Sequence, residues 1–178
     1  MLTNKEIQIY GPLQKLKILY EGFPHPPIVT LDEGLALAET MKAVAVKDLF
    51  GEAPKKKLFF LFLLAEGEFF TGKALQETLG AGHLTFGDKK IKRLFPVSFA
   101  VKKGLYRPWN CFLIRNKPLH LLISRILLSK KDLIFHPFRN DKSLKIAAKD
   151  LISRFWPTMG HIPRIIDASI IDAKEESL

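Results

Sequence analysis

Residues 43–65 read AVAVKDLFGEAPKKKLFFLFLLA, and the fold depends on how this stretch divides. Successive side chains of a strand point to opposite faces. In the first part, AVAVKDLF, Ala43, Ala45, Lys47 and Leu49 therefore share one face, and Val44, Val46, Asp48 and Phe50 share the other. GEAPKK, residues 51–56, carries Gly and Pro and reads as a turn. The apolar run LFFLFLLA, residues 58–65, falls well short of the roughly 20 residues a membrane span needs. It predicts a fully buried strand, and the whole stretch predicts a hairpin. Lys47 is its odd residue. On a face of small side chains it either points to solvent or lines a cleft in front of the sheet. In a cleft, a point charge on a flexible stem suits phosphate or a ribose hydroxyl.

The same rules extend in both directions. Thr3–Glu6 forms a capping box for a first helix, which Gly11-Pro12 is expected to interrupt. A short strand is expected at 18–22. FPHPP, residues 23–27, reads as irregular because three prolines fix φ and remove donors. Thr30–Glu33 is a second capping box. It opens a helix with Leu35, Ala38 and Met41 at helical spacing that ends near Lys42. Helices are further expected from Thr71 to Gly80, from Asp88 through Phe95, and over 148–156, where Pro157 should end the last one. Strands are expected at 84–86, 110–114, 120–123, 133–136, 143–147 and 164–167. Helices and hairpin-like steps alternate, which predicts a mixed α/β (α+β) fold around a mixed sheet. We expect one domain over 1–167 and a polar tail over 168–178.

Composition narrows the function. The 178 residues carry a net charge of +10, concentrated in residues 88–154 with 17 Lys/Arg against 4 Asp/Glu. Such a segment suggests a polyanionic partner, nucleic acid being the commonest, or else a merely soluble basic surface. The single cysteine, Cys111, excludes an intramolecular disulfide and fits a reducing compartment. The opening MLTNKEIQIYG lacks an apolar signal-peptide core, so a cytoplasmic location is expected. No two of the five histidines, with Cys111, have a zinc spacing, and no phosphate-cradling Gly-rich motif occurs.

Two further segments carry candidate chemistry. In VKKGLYRPW, residues 101–109, Gly104 permits close backbone approach and Pro108 stiffens the exit. That loop either presents N–H groups to an oxyanion or is an ordinary turn. Lys102, Lys103 and Arg107 flank it, and Tyr106 and Trp109 can stack on bases. In IFHPFRN, residues 134–140, His136 ends an apolar strand before a proline break. It is either a hydrogen-bonded strand-end histidine or a pocket residue. His25 in the Pro-rich turn is another candidate for a pocket wall.

Taken in order, these segments resemble the YbaK/prolyl-tRNA-editing family, free-standing relatives of the editing insertion of bacterial prolyl-tRNA synthetases. FPHPP with Thr30 and Glu33 resembles the family's H-P-P…T-x-E-E segment, and VKDLF its lysine-bearing strand h-x-K-N-L-F. LTFG resembles L-S-F-A, GLYRP matches the G-x-x-x-P substrate loop, and FHPFRN resembles F-H-P-L-x-N. The resemblance spans about residues 16–167. It implies a mixed, partly barrel-like sheet with surrounding helices, and hydrolysis of the ester joining a wrong amino acid to the terminal adenosine of a tRNA.

By that analogy Lys47, Gly104 and His136 are catalytic. Lys47 positions the substrate near phosphate or ribose, the Gly104 N–H meets the substrate carbonyl, and His136 lines the aminoacyl pocket. His25, Thr30, Phe50, Tyr106, Pro108 and Asn140 contact substrate, and Lys102, Lys103 and Arg107 contact tRNA. No metal or cofactor is implied; the implied partners are mischarged tRNA and an aminoacyl-tRNA synthetase. The chain departs from the family at Asp48, where asparagine is usual, and in its bulky basic GLYRPW loop. A non-catalytic RNA-binding module on the same fold is the alternative reading.

Overall fold

The protein is described from a computed structural model, over residues 2–65, 68, 70–86 and 119–167. Helix α1 spans Asn4–Lys15, strand β1 Tyr20–Pro24, α2 Leu31–Thr40, β2 Val44–Ala53 and β3 Leu58–Ala65. Then follow α3 (Gly72–Leu79), β4 (Thr85–Phe86), β5 (Leu119–Ser124), α4 (Arg125–Leu128), β6 (Asp132–Phe135) and β7 (Lys142–Ala147). A helical segment over 148–158, α5, and β8 (Arg164–Ile166) complete the described chain. The fold is mixed α/β, as the alternation of elements predicted. The expected helix 88–95, strand 110–114, loop 101–109, Cys111 and tail 168–178 lie outside the described residues.

The hairpin read from 43–65 is present. Strands β2 and β3 pair antiparallel from Val46↔Ala65 to Ala53↔Leu58, and a 3-10 turn at Pro54–Lys56 closes them. The sheet runs β1-β7-β6-β2-β3-β5-β8, with β4 on β2. Both β2/β6 and β3/β5 are parallel, so the sheet is mixed. Among the described residues its path does not close, and β1 and β8 are the outer strands.

Alternation divides the core between the two faces. Val46, Phe50, Leu61, Leu63, Leu133, Phe135, Leu144 and Ile146 face α1 and α5 in the largest cluster. The opposite face carries two smaller clusters. One joins α2 to β2 and β6 through Ala38, Met41, Ala45 and Ile134. The other joins α3 to β2 and β3 through Leu75, Leu79, Ala53, Phe60, Phe62 and Leu64. Strand β3 serves both faces, which is why LFFLFLLA is apolar throughout and buried from Phe59 to Ala65.

Four local expectations are corrected. Pro12 does not interrupt α1, which continues to Lys15. An interior proline costs about 3 kcal/mol. However, Ile9 and Leu13 are fully buried on the same helix face, and each such side chain returns about 1.5–3 kcal/mol. Phe23 and Pro24 belong to β1, where Pro24 is the last residue of an outer strand that needs no donor on its open side. Pro157 does not end α5. A π-helical turn over Leu151–Phe155 shifts the register, and proline falls at the start of a new α-turn, Trp156–Thr158. Leu35 is exposed, while Ala38 and Met41 carry the buried face of α2.

Candidate functional site

Lys47 stands on the small-residue face of β2. Two residues before it, Ala45 belongs to the cluster under α2. Two residues after it, Leu49 packs against the cluster under α3. Lys47 thus occupies the interval between two apolar patches on one face of the sheet, and it is exposed. Among the described residues its ammonium has no ion-pair partner. A cation in that position is available to an anion or hydroxyl brought to the sheet from outside.

The neighbouring strands bring further polar groups to the same face. Strands β2 and β6 pair in parallel at Val44↔Leu133 and Ala45↔Ile134. Counting two more residues along each chain puts His136, just past the end of β6, on the same face as Lys47. Across β6, Phe135 pairs with Leu144, so one further step sets His136 beside Ser143. Ser143 in turn pairs with Phe23 of β1, and His25 follows two residues later. Lys47, His136, Ser143 and His25 therefore lie on the face that also carries α2, His25 and His136 just past the ends of β1 and β6.

Hydrogen bonds link His136, Ser143 and His25 into a row. The Ser143 hydroxyl lies 2.9 Å from His25 Nε2 and 3.1 Å from His136 Nδ1. His25 Nδ1 is 2.8 Å from the Pro26 carbonyl oxygen, and His136 Nδ1 is 3.2 Å from that of Lys142. The two rings meet edge to face with centroids 5.6 Å apart. His136 and Ser143 are buried, as a polar group can be when it is hydrogen-bonded.

The loops around the row are tied together by named contacts. The His25 N–H donates to the Asp141 carbonyl, and the Asn140 side-chain amide donates to the Ile28 carbonyl at 2.8 Å. Among the described residues, Asn140 Oδ1 is buried and has no hydrogen-bond partner. Phe138, between His136 and Asn140, has φ +60°, a left-handed conformation uncommon for a bulky residue. Arg139 grips Asp141 through two hydrogen bonds of 2.7 and 2.6 Å. Those bonds hold the Asp141 carboxyl at about 2, against the smaller opposing effect of burial. Thr30 and Glu33 form the expected capping box at the start of α2. The Val29 and Thr30 N–H groups hold the Glu33 carboxyl below its ordinary range.

The candidates read from the sequence are therefore distributed unevenly. Lys47, His25 and His136 come to one face. Asn140 clamps the adjoining loop, and Thr30 caps the helix that follows it. Phe50 lies on the opposite face, stacked on Phe59 in the main core. Gly104, Tyr106, Pro108, Lys102, Lys103 and Arg107 lie outside the described residues. The residue that sequence reading passed over is Ser143. It reads as an ordinary strand serine, three positions beyond the F-H-P-x-x-N pattern, and only the pairing of β1 with β7 brings it between two histidines. Among the described residues no group of three or more His, Cys, Asp or Glu could hold a metal ion. Nor is any described helix long and apolar enough to cross a membrane.

The fold defines the class: this is a mixed α/β domain whose fold matches that of solved editing-domain structures. It superposes with a TM-score of 0.63 on a solved structure described as that of a proposed trans-editing enzyme for prolyl tRNA synthetase. The match covers 94% of this chain and 99% of that one at 16% identity. Among curated proteins, the chain is similar to prolyl-tRNA synthetase associated domain-containing protein 1 of Danio rerio. The two are 25% identical over 165 residues, 92% of this chain and 86% of the relative. It is also similar to the prolyl-tRNA editing protein ProX of Acetoanaerobium sticklandii, at 21% identity over 143 residues, 80% and 85% of the two chains. No protein-family model matches the chain. Whole-chain sequence likeness and fold thus agree with the resemblance that the ordered motifs carried.

Proposed function

We propose that the chain is a free-standing aminoacyl-tRNA deacylase of the cytoplasm. It would hydrolyse the ester joining a wrong amino acid to the terminal adenosine of tRNA, with alanine or cysteine on proline tRNA as substrates. The observation that supports this reading is that Lys47 shares one sheet face with the buried His136, between the patches under α2 and α3. The relatives' names add the editing of prolyl-tRNA.

An aminoacyl ester is already activated, so positioning and one oxyanion contact can supply much of the catalysis. Lys47 would hold a phosphate or ribose oxygen, and His136 would line the aminoacyl pocket. The Gly104 N–H would receive the carbonyl oxygen as it gains charge. Water would add to the carbonyl carbon, assisted by the ribose hydroxyl of the substrate itself. The carbon–oxygen bond to the ribose then breaks, and its oxygen takes up a proton. The products are a free amino acid and an uncharged tRNA. The basic residues between 88 and 154, Lys102, Lys103 and Arg107 among them, would hold the acceptor stem. An aminoacyl-tRNA synthetase is the protein partner this role suggests.

The test is deacylation of a panel of mischarged tRNAs by the wild type and by Lys47→Ala. Hydrolysis of at least one substrate is expected, slowed at least ~10-fold by the substitution, the scale of one lost electrostatic contact. No hydrolysis above background by the wild type sinks the enzymatic reading. tRNA binding that persists without hydrolysis would instead establish the RNA-binding module.

A further inference from the structure

We propose that Glu68, held in place by Ser124, receives the α-ammonium of the aminoacyl group, so that Lys47 and Glu68 take the two ends of one aminoacyl-ribose. The inference rests on the deacylase reading for the identity of the ligand; the placement of the two charges does not.

The sheet register sets that placement. Lys47 pairs with Leu64 across β2 and β3. Strands β3 and β5 run parallel and pair at Leu63↔Ile123, so one further step along both strands reaches Leu64 and Ser124. Ser124 in turn pairs with Ile166 of β8. Leu64 and Ile166 belong to the cluster under α3, and residues paired across strands share a face. Lys47, Leu64 and Ser124 therefore follow one another across the same side of the sheet.

Glu68 reaches this side from the segment after β3. One carboxylate oxygen accepts from the Ser124 hydroxyl, and the other accepts from the Ala65 N–H at 3.0 Å. Ser124 is fully buried, and its oxygen accepts from the Ile126 N–H at 3.2 Å, which leaves its single proton for Glu68. The Glu68 N–H returns to the Ala65 carbonyl at 3.1 Å, closing the turn. A carboxylate offers about four lone-pair sites, so these two bonds leave it able to accept more. Glu68 is half-buried, and among the described residues no cationic side chain pairs with it. A partly desolvated charge without a counter-ion is unfavourable, and a cation brought from outside would relieve it.

Lys47 does not supply that cation. Leu64, fully buried, stands between the two positions, and the backbones of Lys47 and Ser124 are two interstrand spacings apart, about 10 Å. That interval suits a ligand with a cation at one end and an anion or hydroxyl at the other. In an aminoacyl-tRNA the α-ammonium and the 5′-phosphate of the terminal adenosine are about eight covalent bonds apart, roughly 10 Å when extended. With Lys47 at the phosphate or ribose and Glu68 at the ammonium, the ester lies between them, over Leu64. The α-ammonium is common to all aminoacyl groups, so Glu68 orients the ester without choosing among side chains. It selects against peptidyl and other N-acylated esters, whose α-nitrogen is an uncharged amide.

The experiment is calorimetric titration of the full chain with two non-hydrolysable ligands. One is 3′-alanylamino-3′-deoxyadenosine 5′-monophosphate, in which an amide replaces the ester, and the other is its N-acetyl derivative. The wild type should bind the free amine at least ~10-fold more tightly, the scale of a hydrogen bond between charged groups. Glu68→Gln should bring that ratio close to one, while Lys47→Ala should weaken both ligands by a similar factor. Equal affinity of the wild type for the two ligands, or binding of neither, would overturn the proposal without needing any variant to fold. So would a ratio unchanged in Glu68→Gln. Deacylation separates this inference from the reading beneath it. A wild type that prefers the free amine but hydrolyses no aminoacyl-tRNA refutes the deacylase and leaves the ammonium subsite standing. One that hydrolyses alanyl- and N-acetylalanyl-tRNA equally well refutes the subsite and leaves the deacylase.

Discussion

Asn140 and Ile28 are bound to each other twice: the Ile28 N–H donates to the Asn140 carbonyl at 3.2 Å, and the Asn140 amide donates to the Ile28 carbonyl at 2.8 Å. The residues stand 112 apart in sequence. This clasp holds the Pro-rich loop after β1 against the loop after β6, and both loops border the row of His25, Ser143 and His136. Asn140→Ala should lower stability by about 1–2 kcal/mol, the value of a part-buried hydrogen bond whose acceptor is left unpaired. It should also speed amide exchange in residues 25–30 more than in β2 or β3. Equal protection in that loop before and after substitution would show that the clasp does not hold it.

Lys47 should separate activity from stability. It is exposed, and surface substitutions of this kind change stability by about 0.5 kcal/mol or less. Lys47→Ala should therefore melt like the wild type while losing deacylation. Lys47→Arg should rescue poorly, because a planar fork does not reproduce a compact ammonium on a flexible stem. Thermal melts beside initial rates check both points.

Gly51 should resist any side chain. It faces Phe60 across the β2/β3 register, and a Cβ there would lie 2.2 Å from the ring. Phe60 is fully buried and itself meets Phe86 edge to face, so the ring has no free direction in which to swing. Gly51→Ala should cost about 1–3 kcal/mol, the range for overpacking a core. A midpoint of chemical denaturation equal to the wild type's would contradict this account.

Acid should loosen α1. Glu6 is buried, which pushes its carboxyl up, but the Thr3 N–H and hydroxyl, with Arg139 and Lys142 nearby, outweigh burial. The net result is a value below its ordinary 4.5. A depressed carboxyl contributes stability that is present above its unfolded value and lost as pH falls through its folded one. Glu6→Gln should thus be less stable than the wild type at neutral pH, and the gap should narrow as pH falls below about 4.5 and close once the folded carboxyl is protonated. Parallel stability curves across that window would refute the assignment.

RNA binding should be strongly salt-dependent. With 17 Lys/Arg against 4 Asp/Glu in residues 88–154, binding should release counterions from the phosphate backbone. The logarithm of tRNA affinity should fall linearly with the logarithm of salt concentration in a titration. An affinity unchanged between low and high salt would remove the electrostatic role of that segment.

What was legible in the sequence was local. The β2/β3 hairpin followed from alternation in AVAVKDLF, the breaker GEAPKK and the continuous apolar run, because strand period and turn chemistry act over a few residues. The two capping boxes were legible for the same reason. Lys47 on a small-residue face was legible too, since pleating alone assigns the face. Where local rules failed, packing had overruled them. Pro12 stays in α1 because Ile9 and Leu13 are buried around it, and Pro157 stays in α5 because a π-turn shifts the register.

The sequence by itself determined the mixed α/β character, the hairpin, the basic half and the identity of the candidate lysine and histidines. Tertiary structure alone decided which of them meet. His25 and Ser143 are 118 positions apart, and Ser143 and His136 are seven apart on different elements. Only the pairing of β1, β7, β6 and β2 brings them to one face with Lys47, and the same pleating that exposes Lys47 turns Phe50 into the opposite core. Face and period are properties of a single strand, whereas adjacency is a property of the sheet, fixed by long-range burial and hydrogen bonding.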